Sequence, residues 1–172
     1  LYRDRTGVLW IGTDSGMAML GQDGRLQAWM ADKDIPARYV FDFLGDDNGD
    51  LWIASDHGLL RKRGLDFAVF DHRNGLPRDK VFRIIDDKAG HLWLPSNLGV
   101  FRLDRSDLMA VAAGARAHLS VQVLDHTDGM PSSQANGASS PAGWMTRAGS
   151  LLLPTSAGLA VVNPQRVDNN AR

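Results

Sequence analysis

Four stretches of this chain can be laid over one another: DRTGVLWIGTDSGMAML from Asp4, DNGDLWIASDHGLLR from Asp47, DKAGHLWLPSNLGVFRL from Asp87 and RAGSLLLPTSAGLAVV from Arg147. Their first glycines, Gly7, Gly49, Gly90 and Gly149, are 42, 41 and 59 residues apart, and a second glycine follows each by nine residues, at Gly16, Gly58, Gly99 and Gly158. Three residues after the first glycine stands Trp10, Trp52 or Trp93, replaced by Leu152 in the last copy. A separate mark keeps the same period: Asp-Ile-Pro ending at Pro36, Gly-Leu-Pro at Pro77 and Gly-Met-Pro at Pro131. Self-similarity at about 40–45 residues is the signature of a four-stranded propeller blade or of a helical repeat.

Local pattern decides between the two. Between the glycines the segments are short, aromatic and β-branched, with turn residues on both sides, the pattern of strands and hairpins. The amphipathic stretch Ser106 to Leu119 is the exception, and it falls where the period lengthens. Each unit reads as strand a (Arg38 to Gly45; Lys80 to Asp86), strand b (Leu51 to Ser55; Leu92 to Ser96), strand c (Gly58 to Lys62; Gly99 to Leu103) and strand d (Leu26 to Met30; Asp66 to Asp71). The expected fold is all-β: a β-propeller fragment of about four four-stranded antiparallel blades, near residues 1–33, 34–74, 75–128 and 129–163, with 164–172 a tail leading onward. The first blade is expected to supply strands b, c and d and the last strands a, b and c.

The repeated residues have physical tasks. Asp4, Asp46 and Asp87 stand three before the first glycine, where an Asp side chain closes an Asx-turn and glycine takes a positive φ. The tryptophans on strand b suit the gap between twisted blades. Thr13, Ser55, Ser96 and Thr155 open the b–c turns, where a hydroxyl can bond the turn backbone. The last interval is 18 residues longer than the one before it (59 against 41). Part of the excess is DLMAVAAGARAHL, read as a short helix near 106–117 capped by Ser106 with Asp107 in its first turn. The rest lengthens the small-residue run SSQANGASSPAGW.

The chain of 172 residues has the length of one domain. With 44% hydrophobic and 23% charged residues and a net charge of -1, it carries no basic footprint for nucleic acid or an anionic membrane. It has no cysteine, which removes disulfides, thiolate-bound zinc and a thiol nucleophile from consideration. No apolar run is long enough to cross a bilayer, so no direct membrane insertion is expected of this chain. Starting mid-repeat at Leu1, it is expected to be part of a longer polypeptide.

DRTGVLWIGTDSGM, DNGDLWIASDHGL and NGLPRDKVFRIIDDKAGHLWLPSNLGVFRL resemble the two-component regulator propeller repeat, and DGMPSSQANGASSPAGWMTRAGSLLLPTSAGLAVVNP resembles its divergent last blade. The resemblance covers essentially the whole chain. It implies the periplasmic sensor propeller of an inner-membrane histidine kinase, hybrid kinase or diguanylate cyclase, acting by binding rather than catalysis. Departures from the repeat are Leu152 for the tryptophan, and Pro95 and Pro154 before the turn hydroxyl.

Chemistry-bearing motifs are sparse. His57, His72, His91, His118 and His126 lack metal-ligand spacing, and no cofactor or metal is expected. Asp46, Asn48 and Asp50 imitate the start of a calcium loop, but Leu51 and His57 fall where its glycine and glutamate belong, so a hairpin turn is the reading. Trp29 and Trp144 break the repeat phase and stand as ligand candidates beside a packing role. In a four-stranded blade the b–c turns and d–a connections share one face, at the mouth of the channel. That face would collect Asp14, Asp56, His57 and Asn97 with Arg38, Tyr39, Arg78, Asp79, Ser132, Ser133, Gln134 and Asn136, and Trp144 joins the candidate set. Its mixture suits an unknown small molecule, peptide or glycan. Alternatives are an interaction scaffold without small ligand, and a propeller enzyme such as a lyase, for which carboxylates at the mouth are limited to Asp14, Asp56 and Asp79. Open blade edges make self-association, or neighbouring blades of the same parent chain, the expected partners.

Overall fold

A computed structural model describes residues 1–137 and 140–167. It divides into two compact units, Leu1–Ile84 and Ile85–Arg172. In the first, β1 (Tyr2–Arg3), β2 (Leu9–Gly12), β3 (Gly16–Leu20) and β4 (Leu26–Met30) form one antiparallel meander, and β5 (Val40–Gly45), β6 (Leu51–Ser55), β7 (Gly58–Arg63) and β8 (Asp66–Phe70) form another. In the second, β9 (Ile85–Asp86), β10 (His91–Ser96), β11 (Gly99–Asp104) and β12 (Val121–Leu124) repeat the pattern, and β13 (Trp144–Met145), β14 (Leu151–Thr155) and β15 (Gly158–Val162) make a three-stranded sheet. Both cores lie between sheets: Trp10, Met17, Trp29, Phe43, Ile53 and Leu60 cluster in the first unit, and Ile85, Trp93, Val100, Leu124, Leu151 and Leu153 in the second.

The a–b turns show why an aspartate and a tryptophan six residues apart recur together. Asp46 Oδ1 accepts the backbone N–H groups of Asn48 (2.9 Å) and Asp50 (3.0 Å), while Oδ2 accepts the indole N–H of Trp52 (3.0 Å). Asp4 does the same for Thr6, Val8 and Trp10, and Asp87 for Ala89, His91 and Trp93. One carboxylate thus closes the turn and satisfies an indole whose ring is buried, at 1% exposure for Trp52 and 0% for Trp93. In the last sheet Thr146 holds the aspartate position. Its single hydroxyl oxygen accepts the Ser150 N–H at 2.9 Å, and Leu152 brings no indole to satisfy. Loss of the second oxygen and loss of the indole go together, which explains the divergence of this copy.

At the b–c turns all four hydroxyls behave alike. Thr13, Ser55, Ser96 and Thr155 donate to the carbonyls of Gly16, Gly58, Gly99 and Gly158 at 2.7–3.0 Å and accept the N–H two residues on. Gly58 sits at φ +93, and a Cβ there would lie 2.0 Å from the Phe70 carbonyl oxygen, so no other residue fits.

The structure corrects the sequence reading at three points. Tyr2–Arg3 pairs with Trp10 and Leu9, so the first sheet has a strand a; Tyr2 is tied down by its hydroxyl, which accepts the Gly45 N–H at 3.0 Å. The helix α1 spans Arg105–Ala112, with Asp104 rather than Ser106 at its cap position; the Asp104 side chain makes no capping bond, and the Arg105 N–H is bonded to the Gly90 carbonyl. It stops short of 117 where Gly114 turns to φ +71. The third strand a shrinks from the expected Lys80 to Asp86 to Ile85–Asp86, where the Ile84 N–H goes instead to the Asp42 carboxylate. Strands Leu51–Ser55 and Leu26–Met30 fall where the periodicity places them.

Candidate functional site

The two sequence marks, hydroxyl and proline, prove to be one device. The residue four after each proline donates its N–H to the carbonyl of the hydroxyl residue of the preceding b–c turn: Val40 to Thr13, Val81 to Ser55 and Ala135 to Ser96, at 2.9–3.0 Å. Each connection therefore enters its strand already docked on the turn before it. Two of these connections open with a capped 3-10 turn. Asp71 accepts the Arg73 N–H while Asn74 accepts the Asp71 N–H, and Asp125, Thr127 and Asp128 repeat this arrangement. Gly75 and Gly129 then end the turn in the left-handed region. His72 and His126 follow the capping aspartates, and each bonds the residue seven later: His72 to Asp79 through its backbone N–H and Nδ1, both at 2.7 Å, and His126 to Ser133.

In the first unit these bonds gather most of the candidates. Asp56 Oδ1 accepts the backbone N–H groups of both Arg38 and Tyr39 at 3.0 Å, and Tyr39 returns its carbonyl to the Asp56 N–H. Asp79 accepts the Gly58 N–H on its carbonyl and holds His72 with its carboxylate. Asp14 lies in the neighbouring b–c turn and accepts the Ser15 hydroxyl. His57 and Arg78 are exposed beside them in sequence. Asp56 Oδ1 and both carboxylate oxygens of Asp79 thus fix the connections.

In the second unit Ser132 and Ser156 hydroxyls lie 2.9 Å apart, Gln134 bonds back to both, and the Asn136 N–H reaches the Pro154 carbonyl. Asn97 is exposed in the b–c turn. Trp144 is 56% exposed but stands elsewhere: it pairs with Leu152, toward the a–b end of its sheet, away from the Thr155 turn. Trp29 is buried against Trp10, the ring centroids 5.8 Å apart, so it serves packing.

Four aspartates lie below their ordinary carboxylate range. Arg73 holds Asp71 there, and Thr127 holds Asp125. Burial pushes the other way for Asp4 and Asp87 but is outweighed by bonds from Thr6, Trp10 and Val8, and from Trp93, Ala89 and His91. Asp42 is displaced upward, because burial outweighs the Arg83 guanidinium 3.3 Å away. The calcium-like triplet is a turn: Asp46 faces N–H groups, and buried Asp50 is clasped by Arg63 at 2.5 and 2.6 Å. A cleft of about 410 Å³ is lined by Arg3, Gly7, Leu9, Leu20, Gly21 and Gln22, none of which is a candidate site residue.

Sequence reasoning named Tyr39 but missed the two phenylalanines that join it in a strip of rings on this face. Phe41 and Phe82 occupy equivalent positions eight residues before Gly49 and Gly90, and Tyr39 and Lys80 stand two before them. Tyr39 stacks on Phe41, Phe41 meets Phe82 edge-on, and Lys80 lies over both phenylalanines. The repeated Val-Phe pair at a fixed distance after Pro36 and Pro77 is the signal that marks it.

No protein-family model and no curated protein matches the sequence. Solved structures do. The extracellular domain of BT3049 from B. thetaiotaomicron, described as a hybrid two-component system, aligns with a TM-score of 0.78 over 99% of this chain and 22% of its own, at 21% identity. That of BT4673 from the same organism, also described as a hybrid two-component system, gives 0.77 over 96% of this chain and 23% of its own, at 23% identity. A streptogramin B lyase gives 0.59 over 95% of this chain and 53% of its own, at 14% identity. The chain spans about a quarter of the length of the two extracellular domains. The shared fold makes the sheets successive blades of a β-propeller fragment carrying one short helix.

Proposed function

We propose that this chain is part of the signal-input propeller of a membrane-bound two-component protein, lying outside the cytoplasmic membrane and acting by binding. The observation that carries the reading is the in-phase repeat on a fold shared, over nearly the whole chain, with two extracellular domains of two-component proteins. The likeness to them is stronger than to the lyase, 0.78 and 0.77 against 0.59, which favours an input role over a propeller enzyme. The carboxylates of the d–a face support this as well, since Asp56 and Asp79 are occupied by backbone N–H groups and His72 rather than aimed together at a substrate.

A ligand that fits one arrangement of the propeller better than another biases the parent's output by that difference in affinity. The face of b–c turns and d–a connections is where such a ligand would bind. Its loops are fixed by turn-to-strand bonds, so a ligand meets a preformed surface.

Membrane topology tests the reading. In cells expressing the parent polypeptide, a protease added outside the cytoplasmic membrane of spheroplasts should cleave in this propeller while cytoplasmic proteins stay intact. Protection of the propeller until the membrane is broken would overturn the assignment.

A further inference from the structure

The segments Tyr39-Val40-Phe41-Asp42 and Lys80-Val81-Phe82-Arg83 are the same four positions of successive copies, and the fold sets them side by side. The valines are buried, at 7% and 0% exposure, and dock on the preceding turns. Asp42 and Arg83 join the two segments by an ion pair. The remaining positions build a surface. Val40 pairs with Ser55 and Asp42 with Ala54, so Phe41 is the extra residue of a β-bulge. A bulge re-aims the side chain it releases.

Phe41 meets the Phe82 ring at 5.6 Å and 80°, and Tyr39 stacks beside it at 6.4 Å and 11°. Tyr39 is 43% exposed, and both phenylalanines are half-buried. Cations frame the strip: the Lys80 ammonium lies 5.7 Å from each phenylalanine centroid, and the Arg38 guanidinium 5.7 Å from that of Tyr39. Among the described residues neither cation is in an ion pair. The nearest carboxylates are committed: Asp42 to Arg83 and the Ile84 N–H, Asp56 to the Arg38 and Tyr39 backbone, Asp79 to His72.

We propose that Tyr39, Phe41 and Phe82 with Arg38 and Lys80 form a binding site for a small aromatic carboxylate. The proposal rests on the ligand-binding reading above and names the ligand class for it. A ligand ring gains offset or edge contacts with rings spaced 4.5–7 Å apart, as these are. The ligand carboxylate gains charge-assisted hydrogen bonds from Lys80 and Arg38, which now hold only ring faces. A sugar acid would keep the charged contacts but has no aromatic ring to offer the strip.

Titration calorimetry of the chain with 4-hydroxyphenylacetate, its neutral amide and glucuronate tests this. The acid should bind saturably, the amide about fivefold or more weakly, and glucuronate without measurable heat. Lys80→Gln should weaken the acid about five- to tenfold and leave the amide unchanged; Tyr39→Ala should weaken both. Lys33→Gln, at an exposed connection residue outside the strip, should change neither. No saturable binding of the acid, binding indifferent to Lys80→Gln and Tyr39→Ala, or preference for glucuronate would each overturn the proposal. Such a failure with the propeller still cleaved from outside the membrane would leave the input reading standing and remove only this ligand class.

Discussion

Replacing Asp46 by threonine imposes on the second sheet the arrangement that the last sheet has naturally. Threonine can still accept an N–H of the turn, as Thr146 does from Ser150, but it has no second oxygen for the Trp52 indole. With the indole 3.0 Å from its acceptor and its ring 1% exposed, the unmet N–H should cost about 2 kcal/mol, within the range of roughly 1–3 for an orphaned buried donor bonded to a charged acceptor. Trp52→Phe removes that donor and carries its own cost of about 1–3 kcal/mol from lost packing. In the Trp52→Phe background, Asp46→Thr should then cost about 0.5 kcal/mol or less, giving a coupling of about 1.5 kcal/mol. Urea unfolding followed by far-ultraviolet circular dichroism, which does not depend on the substituted tryptophan, measures all four corners of the cycle. A coupling below about 0.3 kcal/mol would refute the reasoning, because that is the scatter expected of independent sites.

Gly58→Ala should destabilise by about 3 kcal/mol or more, since the new Cβ meets the Phe70 carbonyl at 2.0 Å at a positive φ; Gly49→Ala, at φ +81 with open space, should cost only about 1 kcal/mol by the same unfolding assay. Because Asp4, Asp71, Asp87 and Asp125 are held below the usual carboxylate range, the stability they contribute is present above about pH 4 and lost as pH falls further. Asp42, displaced upward, acts with the opposite sign, and unfolding midpoints of Asp87→Asn between pH 2.5 and 6, read as an approximate window, should fall less steeply than those of the parent chain. Arg102 donates to the Val167 carbonyl at 2.9 Å and to Gln122 at 3.1 Å, so Arg102→Met should speed amide exchange at 163–167 while leaving the exchange of β6, in the other unit, unchanged.

How much of this was legible depended on whether a residue acts within its own copy or across copies. The b–c turns were readable because Thr13, Ser55, Ser96 and Thr155 do one local task, and the strand boundaries followed from the glycines that bracket them. The aspartates were readable as turn residues but not as indole acceptors, because that bond joins two marks that each have a sufficient reason alone. Their constant spacing of six, and its joint loss at Thr146 and Leu152, was the available signal. The ring strip was harder. Phe41 reads as an ordinary strand residue until the bulge releases it, and Phe82 gains meaning when the fold brings it 5.6 Å from its counterpart one copy earlier. Candidates chosen by their place in the turns, such as Tyr39, Asp56 and Asp79, were named, and the two aspartates hold the loops in place, while Phe41 and Phe82 were passed over.

On the input role proposed above, this propeller segment would govern the output of a transmembrane signalling protein. The most direct test of that role is the phosphoryl-transfer or cyclic-dinucleotide-forming activity of the parent polypeptide in membrane vesicles, compared between the intact protein and one lacking residues 1–167. Removal of the propeller segment should change the output rate several-fold while the protein stays in the membrane. An unchanged rate, or a parent with neither activity, would contradict the account.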